Sequence, residues 1–233
     1  MTNILVAGLI NVETTLRIES FPLEYQPQHF PFFGVNSSVS GVGYNVSRAL
    51  TALGDRVTLL SLIGDDLQGE MMRGALAENG IDAAHVLAAM PQSPQSVILY
   101  DADGRHSGFT DLKDIQERAF PGERFAQAAA ACEACVLCNI NFARGLLPLA
   151  KRLGKLVATD VHTIANVEDS FNRDFMAAAD ILFCSNERLP TAPEAWVRAV
   201  AARYNPAVQV VGLGKEGALL LERGAEPVHV PAR

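Results

Sequence analysis

The sequence predicts an α/β fold, a mostly parallel sheet with helices on both faces and a small β flap. Three observations lead there. Short runs rich in Val, Ile and Leu alternate with longer Ala-rich segments, as when buried parallel strands are covered by crossover helices. Two stretches, 11–36 and 96–110, interrupt that alternation with strand-like sequence of their own. Finally, 49% apolar and 19% charged residues in a chain of 233 give ample material for a buried core and exclude disorder. Division by ~150 residues per domain favours one domain over 1–233 with an appendage rather than two equal halves.

Taken in order, the run 4–10 has no basic residue ahead of it and no small-residue cleavage site after it, so it is read as a first strand and not a signal peptide. Strands are expected at 3–9, 56–63, 134–139, 156–160, 180–185 and 207–213, with helices at 43–53, 67–79, 121–132, 142–153, 170–179 and 193–204. Gly54, Gly80 and Gly154 follow three of these helices, as glycine C-caps do. The first interruption carries Thr14 to Ile18 and then Phe30, Phe32 and Phe33; the second reads as a hairpin turning through Asp101-Ala102-Asp103-Gly104. Together they are expected to form a flap over the carboxyl edge of the sheet, where open α/β folds bind ligands.

Several function classes drop out. With 19 Lys+Arg against 26 Asp+Glu the formal charge is −7, which argues against nucleic acid or any other polyanion. The most apolar later stretch, 125–143, is broken by Gln127, Glu133, Asn139 and Asn141 and cannot be a membrane helix. A soluble cytoplasmic protein is expected, and four cysteines are too few for a disulfide scaffold. Cys132, Cys135 and Cys138 form a C-x₂-C-x₂-C run, but Phe142 and Ala143 stand where an iron–sulfur run continues with Cys-Pro. These thiols and Cys184 are read as small buried hydrophobes. His29, His85, His106, His162 and His229 show no zinc spacing, and no G-x-S-x-G elbow occurs, so no metal ligand is assigned.

A literal G-x-G-x-x-G runs from Gly212 to Gly217 after an apolar strand. A nicotinamide dinucleotide site requires a helix to follow, whereas Ala218-Leu219-Leu220-Leu221 reads as another strand, so a nicotinamide oxidoreductase is disfavoured. A glycine turn between strands and a loop passing close to a nucleotide both fit. Walker A is absent, because Gly154-Lys155 precedes Leu156 and Gly214-Lys215 precedes Glu216.

The stretch Ser38-Val39-Ser40-Gly41-Val42-Gly43-Tyr44-Asn45, leading through a helix and a strand to Ile63-Gly64-Asp65-Asp66, resembles the first signature of the ribokinase-like (pfkB) carbohydrate kinases. The resemblance runs through the whole chain. Asn11-Val12-Glu13 matches the family's sugar-binding Asn-x-Asp with Glu for Asp, and Gly212–Gly217 resembles its nucleotide-side turn. Ser40 replaces a usual glycine, Val42 a lysine common in ribose-type members, and Asn186-Glu187-Arg188-Leu189 an Asn-x-x-Glu. The resemblance implies a Rossmann-like ribokinase fold and ATP- and Mg-dependent phosphorylation of a hydroxymethyl group on a sugar or nucleoside. It implies acceptor contacts from Asn11, Glu13, Gly41, Gly43 and Asn45, with Asn141 and Asp160 at strand ends, and nucleotide or phosphate contacts from Asn186, Glu187, Gly214 and Gly217. The family's catalytic Asp, in a Gly-Ala-Gly-Asp turn, is expected beyond Arg233. A non-catalytic sugar-binding or regulatory homologue is the alternative reading, and exposed flap edges leave a homodimer open.

Overall fold

Residues 3–7, Asn-Ile-Leu-Val-Ala, form strand β1 (Asn3–Ala7), whose last three side chains are fully buried. The structure, a computed structural model, describes residues 1–232. Its chain divides into two units, one of Met1–Ala7 with the chain from Ala119 onward, the other of Gly8–Arg118.

The unit Gly8–Arg118 contains β2 (Asn11–Arg17), β3 (Val35–Ser40), α1 (Val42–Ala52), β4 (Arg56–Gly64), α2 (Leu67–Glu78), β5 (Val86–Met90), β6 (Gln95–Tyr100) and β7 (His106–Asp111). The flap is a four-stranded sheet ordered β3-β2-β6-β7. Its β6–β7 hairpin and β2–β3 ladder are antiparallel, whereas β2 and β6 run parallel. Separately, β4 pairs in parallel with β5, and Leu59, Leu60, Leu62 and Ile63 of β4 are buried, as are Met72 and Leu76 of α2 and Tyr44 of α1.

The start of α2 is locked by one carboxylate. Asp66 is its N-cap: Oδ1 accepts from the Gly69 amide at 2.9 Å and the Ser93 hydroxyl at 2.6 Å, and Oδ2 from the Ser93 amide at 2.8 Å. The Ser93 hydroxyl in turn accepts from the Gly64 amide at 2.9 Å. Burial alone would raise the Asp66 pKa, but the Ser93 hydroxyl and the Ser93 and Gly69 amides outweigh it and hold the carboxyl below its usual range.

Two expectations fail in this unit. Phe30, Phe32 and Phe33 are not in a flap strand but in an exposed connection before β3, with Phe30 and Phe32 stacked on each other. Pro22, Pro27 and Pro31 lack the N–H groups a ladder needs, so the strand begins only at Val35. Conversely β5 was not expected, because its central residues Leu87, Ala88 and Ala89 lack the alternation of a half-buried strand.

The other unit adds to β1 the elements α3 (Gly122–Ala130), β8 (Ala134–Leu137), α4 (Asn141–Arg144), α5 (Leu147–Arg152), β9 (Leu156–Thr163), α6 (Arg173–Ala178), β10 (Ile181–Ser185), α7 (Pro193–Tyr204), β11 (Val208–Gly212), β12 (Ala218–Glu222) and β13 (Val228–Val230). Its strands are ordered β13-β12-β11-β10-β9-β8-β1. Those from β1 to β11 pair in parallel, and β12 and β13 are antiparallel additions. This is the mostly parallel α/β architecture expected, with Phe125 of α3, Phe142 of α4 and Phe175 of α6 fully buried between sheet and helices. The helix expected at 142–153 is two helices, because Gly145 intervenes and Pro148 lies in the first turn of α5, where its missing N–H costs nothing. Cys132, Cys135, Cys138 and Cys184 are free and buried.

Candidate functional site

In the unit Gly8–Arg118, β2 sets Asn11, Glu13 and Thr15 on one face by the two-residue period of a strand. Asn11 is 2% exposed, and its Nδ2 donates to the Ser96 hydroxyl of β6 at 2.6 Å. Ser96 donates onward to Thr110 Oγ1 of β7 at 3.2 Å. The Asn11 Oδ1 has no partner. Buried acceptors are rarely left unpaired, so this oxygen marks a place where the protein's own bonding is incomplete.

Gly41 closes that place from the other side. It is the N-cap of α1 at φ 105°, and a Cβ there would stand 2.5 Å from the Leu9 carbonyl oxygen and 3.0 Å from Asn11 Oδ1. At Gly43 a Cβ would meet the Gly8 carbonyl carbon at 2.5 Å. The close approach these glycines allow is therefore to the chain's own backbone: the Gly43 and Tyr44 amides donate to the Leu9 carbonyl at 2.9 and 3.3 Å. Asn45 follows within the first turn, its amide on the Gly41 carbonyl at 2.8 Å, and its exposed side chain makes only a long bond, 3.4 Å, to the Ser40 hydroxyl. The structure thus gathers Asn11, Gly41, Gly43 and Asn45, with Glu13 on the Asn11 face of β2. Ser96 and Thr110 were missed from sequence. The signal was there, since Glu13 pairs with Ser96 and Ser96 with Thr110 across the ladders, but reading it requires the register.

The remaining candidates belong to the other unit. Asp160 lies in β9, and its Oδ1 accepts the amide of His162 at 2.7 Å, which sits at φ 53°. Burial pushes the thiols of Cys138 and Cys184 up to about 12, and the nearby Asp160 charge adds to the rise. Asn141 opens α4, and its Oδ1 accepts from Arg144 Nε at 3.0 Å. Arg144 is itself held over the rings of Phe171 and Phe175 and bonded to Asp174 and the Phe171 carbonyl.

Asn186 and Glu187 are exposed just after β10. The Asn186 amide donates to the Gly212 carbonyl at 3.0 Å, which ties this corner to the glycine turn. The turn from β11 into β12 is a short 3₁₀ segment, Gly214–Glu216, closed by the Leu213 amide on the Gly217 carbonyl at 2.8 Å. A strand follows, so the dinucleotide geometry is not formed. Gly217, at φ 99°, faces its own chain, where a Cβ would overlap the Val230 carbonyl oxygen. Gly214, at φ 60°, faces open space. Among the described residues no three His, Cys, Asp or Glu side chains gather where they could hold a metal ion, and no helix is long and apolar enough to cross a membrane.

The pfkB family carbohydrate kinase model matches residues 1–233, and the chain belongs to that family. An acarbose 7(IV)-phosphotransferase from Actinoplanes sp. is 25% identical over 229 residues, covering 98% of this chain and 75% of the relative. An ATP-dependent ribose-1-phosphate kinase from Halopiger xanaduensis is 26% identical over 242 residues, covering 94% and 73%. Among solved structures, a microbiome-derived acarbose kinase superposes with TM-score 0.86 at 24% identity, over 99% of this chain and 76% of that one. Arabidopsis thaliana ribokinase complexed with ribose and ATP gives 0.75 at 18% identity, over 99% and 78%. These likenesses show the ribokinase-like fold.

Proposed function

We propose that this chain serves an ATP-dependent kinase that phosphorylates a hydroxymethyl group on a sugar or nucleoside, with the acceptor bound by residues 8–118. The observation that carries the reading is Asn11, buried, fixed by Ser96 and left with an unpartnered oxygen beside a glycine that admits no side chain. Asn11, Glu13 and Asn45 are acceptor and donor groups of the kind that bind hydroxyls, and each hydrogen bond lost from such a set leaves a polar partner unpaired.

On the nucleotide side, Asn186 and Glu187 stand beside the Gly212–Gly217 turn, whose open Gly214 offers bare backbone to a flat or charged group. ATP supplies the transferable phosphoryl group. Magnesium would accompany the nucleotide phosphates, and no step is assigned to it. Transfer requires the acceptor oxygen in line with phosphorus and a group to take its proton. The chain's own residues account for positioning; the Gly-Ala-Gly-Asp sequence that the resemblance names for the proton does not occur within 1–233. The unpaired backbone edges of β3 and β7, with exposed Val35, Val97 and Phe109 on the flap, support a homodimer through it.

The test is phosphoryl transfer by the full natural protein from ATP to a panel of sugars, nucleosides, ribose 1-phosphate and acarbose, with products assigned by ³¹P NMR. Transfer to at least one hydroxymethyl acceptor is expected. Saturable sugar binding without transfer to any acceptor would overturn the kinase reading in favour of a sugar-binding homologue.

A further inference from the structure

On β11, Gln209 interrupts an apolar row. Its neighbours across the ladders are Leu182 of β10 and Leu221 of β12, it is 4% exposed, and its carboxamide makes no hydrogen bond within the described residues. No group among the described residues answers this carboxamide, whose polar end keeps contact with solvent, and leucine would match its ladder neighbours better. What remains of its exposure opens on a cleft of about 300 Å³ lined also by Arg198, Ala201, Asn205, Leu221 and Arg223. The cleft lies at the opposite end of β11 from the Gly212–Gly217 turn, so it is separate from the nucleotide residues assigned above.

The charges at its rim are nearly matched. Arg198 pairs with Glu226. Arg223 donates Nη2 to the Asn205 carbonyl at 2.6 Å and has no ion-pair partner among the described residues. The accepting residue, Asn205, is the C-cap of α7 at φ 51°, so the turn into β11 itself holds the guanidinium at the cleft. Among the described residues Arg223 is the cation of the rim without an ion pair, and Glu222, likewise unpaired at the rim, offsets its charge and disfavours a multiply charged anion. Ala201, Pro206 and Leu221 supply apolar wall.

We propose that this cleft binds a small organic monoanion, a carboxylate with a short aliphatic body, through Arg223 and the Gln209 carboxamide. The carboxylate accepts from the guanidinium and from Gln209 Nε2, and the aliphatic part lies on Ala201 and Leu221. This site is independent of the acceptor and of the kinase reading.

The experiment is calorimetric and thermal-shift titration of the full natural protein with butyrate and hexanoate, against inorganic phosphate and butylammonium at matched ionic strength. Saturable binding of the carboxylates that raises the unfolding midpoint is expected, with neither control doing so. Arg223→Gln and Gln209→Leu should each weaken carboxylate binding by about tenfold or more, and Gln209→Leu should raise the ligand-free midpoint. No saturable carboxylate binding, equal binding of phosphate, or wild-type affinity in either variant would overturn the proposal. Arg223 is exposed, so its variant decides the matter even where Gln209→Leu fails to fold.

Discussion

Replacing Asp66 removes three hydrogen bonds at one stroke, and its cost can be worked from their partners. Loss of an N-cap carboxylate costs about 0.5–2 kcal/mol. The amide and hydroxyl of Ser93, fully buried, lose their acceptor as well, which adds about 1–3 kcal/mol of unpaired donors. Because Asp66 keeps some contact with solvent, the lower part of the sum applies, about 1.5–3 kcal/mol for Asp66→Ala. At about 2–4 °C per kcal/mol for a chain of this size, the midpoint should fall by about 3–12 °C. The carboxyl titrates below its usual value in the folded protein, so its contribution is complete above the unfolded value near 3.8 and is lost as pH falls through the lower folded value. Urea unfolding of wild type and variant at pH 7 and at pH 3 should therefore show a gap that narrows at the acid end. Asp66→Asn keeps an oxygen for Gly69 but turns an NH₂ toward the Ser93 amide, and should fall between the two, its gap from wild type likewise narrowing at pH 3. A variant within about 0.5 kcal/mol of wild type, or a gap indifferent to pH, would refute the reasoning.

In α2, a Cβ at Gly69 would overlap the Gly64 carbonyl oxygen while one at Gly74 would meet nothing, so denaturation should show Gly69→Ala destabilised and Gly74→Ala stabilised by about 0.5–1 kcal/mol; equal effects would contradict the packing. The thiols should resist iodoacetamide at pH 8 in the native protein, because burial pushes Cys135 to about 11 and Cys138 and Cys184 to about 12. Mass spectrometry should find all four cysteines labelled only after unfolding, and prompt native labelling of any one of the four would count against their burial. Asn45→Ala should weaken sugar binding by about 1–3 kcal/mol in calorimetry with little change in midpoint, since its exposed side chain holds only one long bond; unchanged affinity would remove Asn45 from the acceptor set.

Much of the architecture was legible because apolar periodicity and punctuation agreed. The helix expected at 193–204 is α7 with the same bounds, fixed by Pro193 at its start and Tyr204 before a left-handed Asn205. Elsewhere side chains and backbone donors point different ways: Phe30, Phe32 and Phe33 suggest a strand that Pro22, Pro27 and Pro31 cannot join, and one apolar period runs on through Gly145 between α4 and α5. The acceptor residues were legible as a motif, but what Gly41 and Gly43 approach was not, since Gly8 and Leu9 lie more than thirty residues away. The partner of Asn11 lies 85 residues off, and no local pattern reports it. Gln209 was invisible for the same reason, because an isolated polar residue in a strand is ordinary until its neighbours across the sheet are known.

The parallel seam between β2 and β6 also bears on how the flap comes into being. The β6–β7 hairpin closes over a few residues, but joining β2 to β6 must wait until α1, β4, α2 and β5 have brought Gln95 back to Val12. Closing so long a loop costs entropy before any ladder bond rewards it, and pairing of this kind is slow. The Asn11–Ser96 bond spans that seam, so the polar group offered to a sugar takes its position only with the pairing of greatest sequence separation in its unit. A chain that has not finished folding has no acceptor corner to offer.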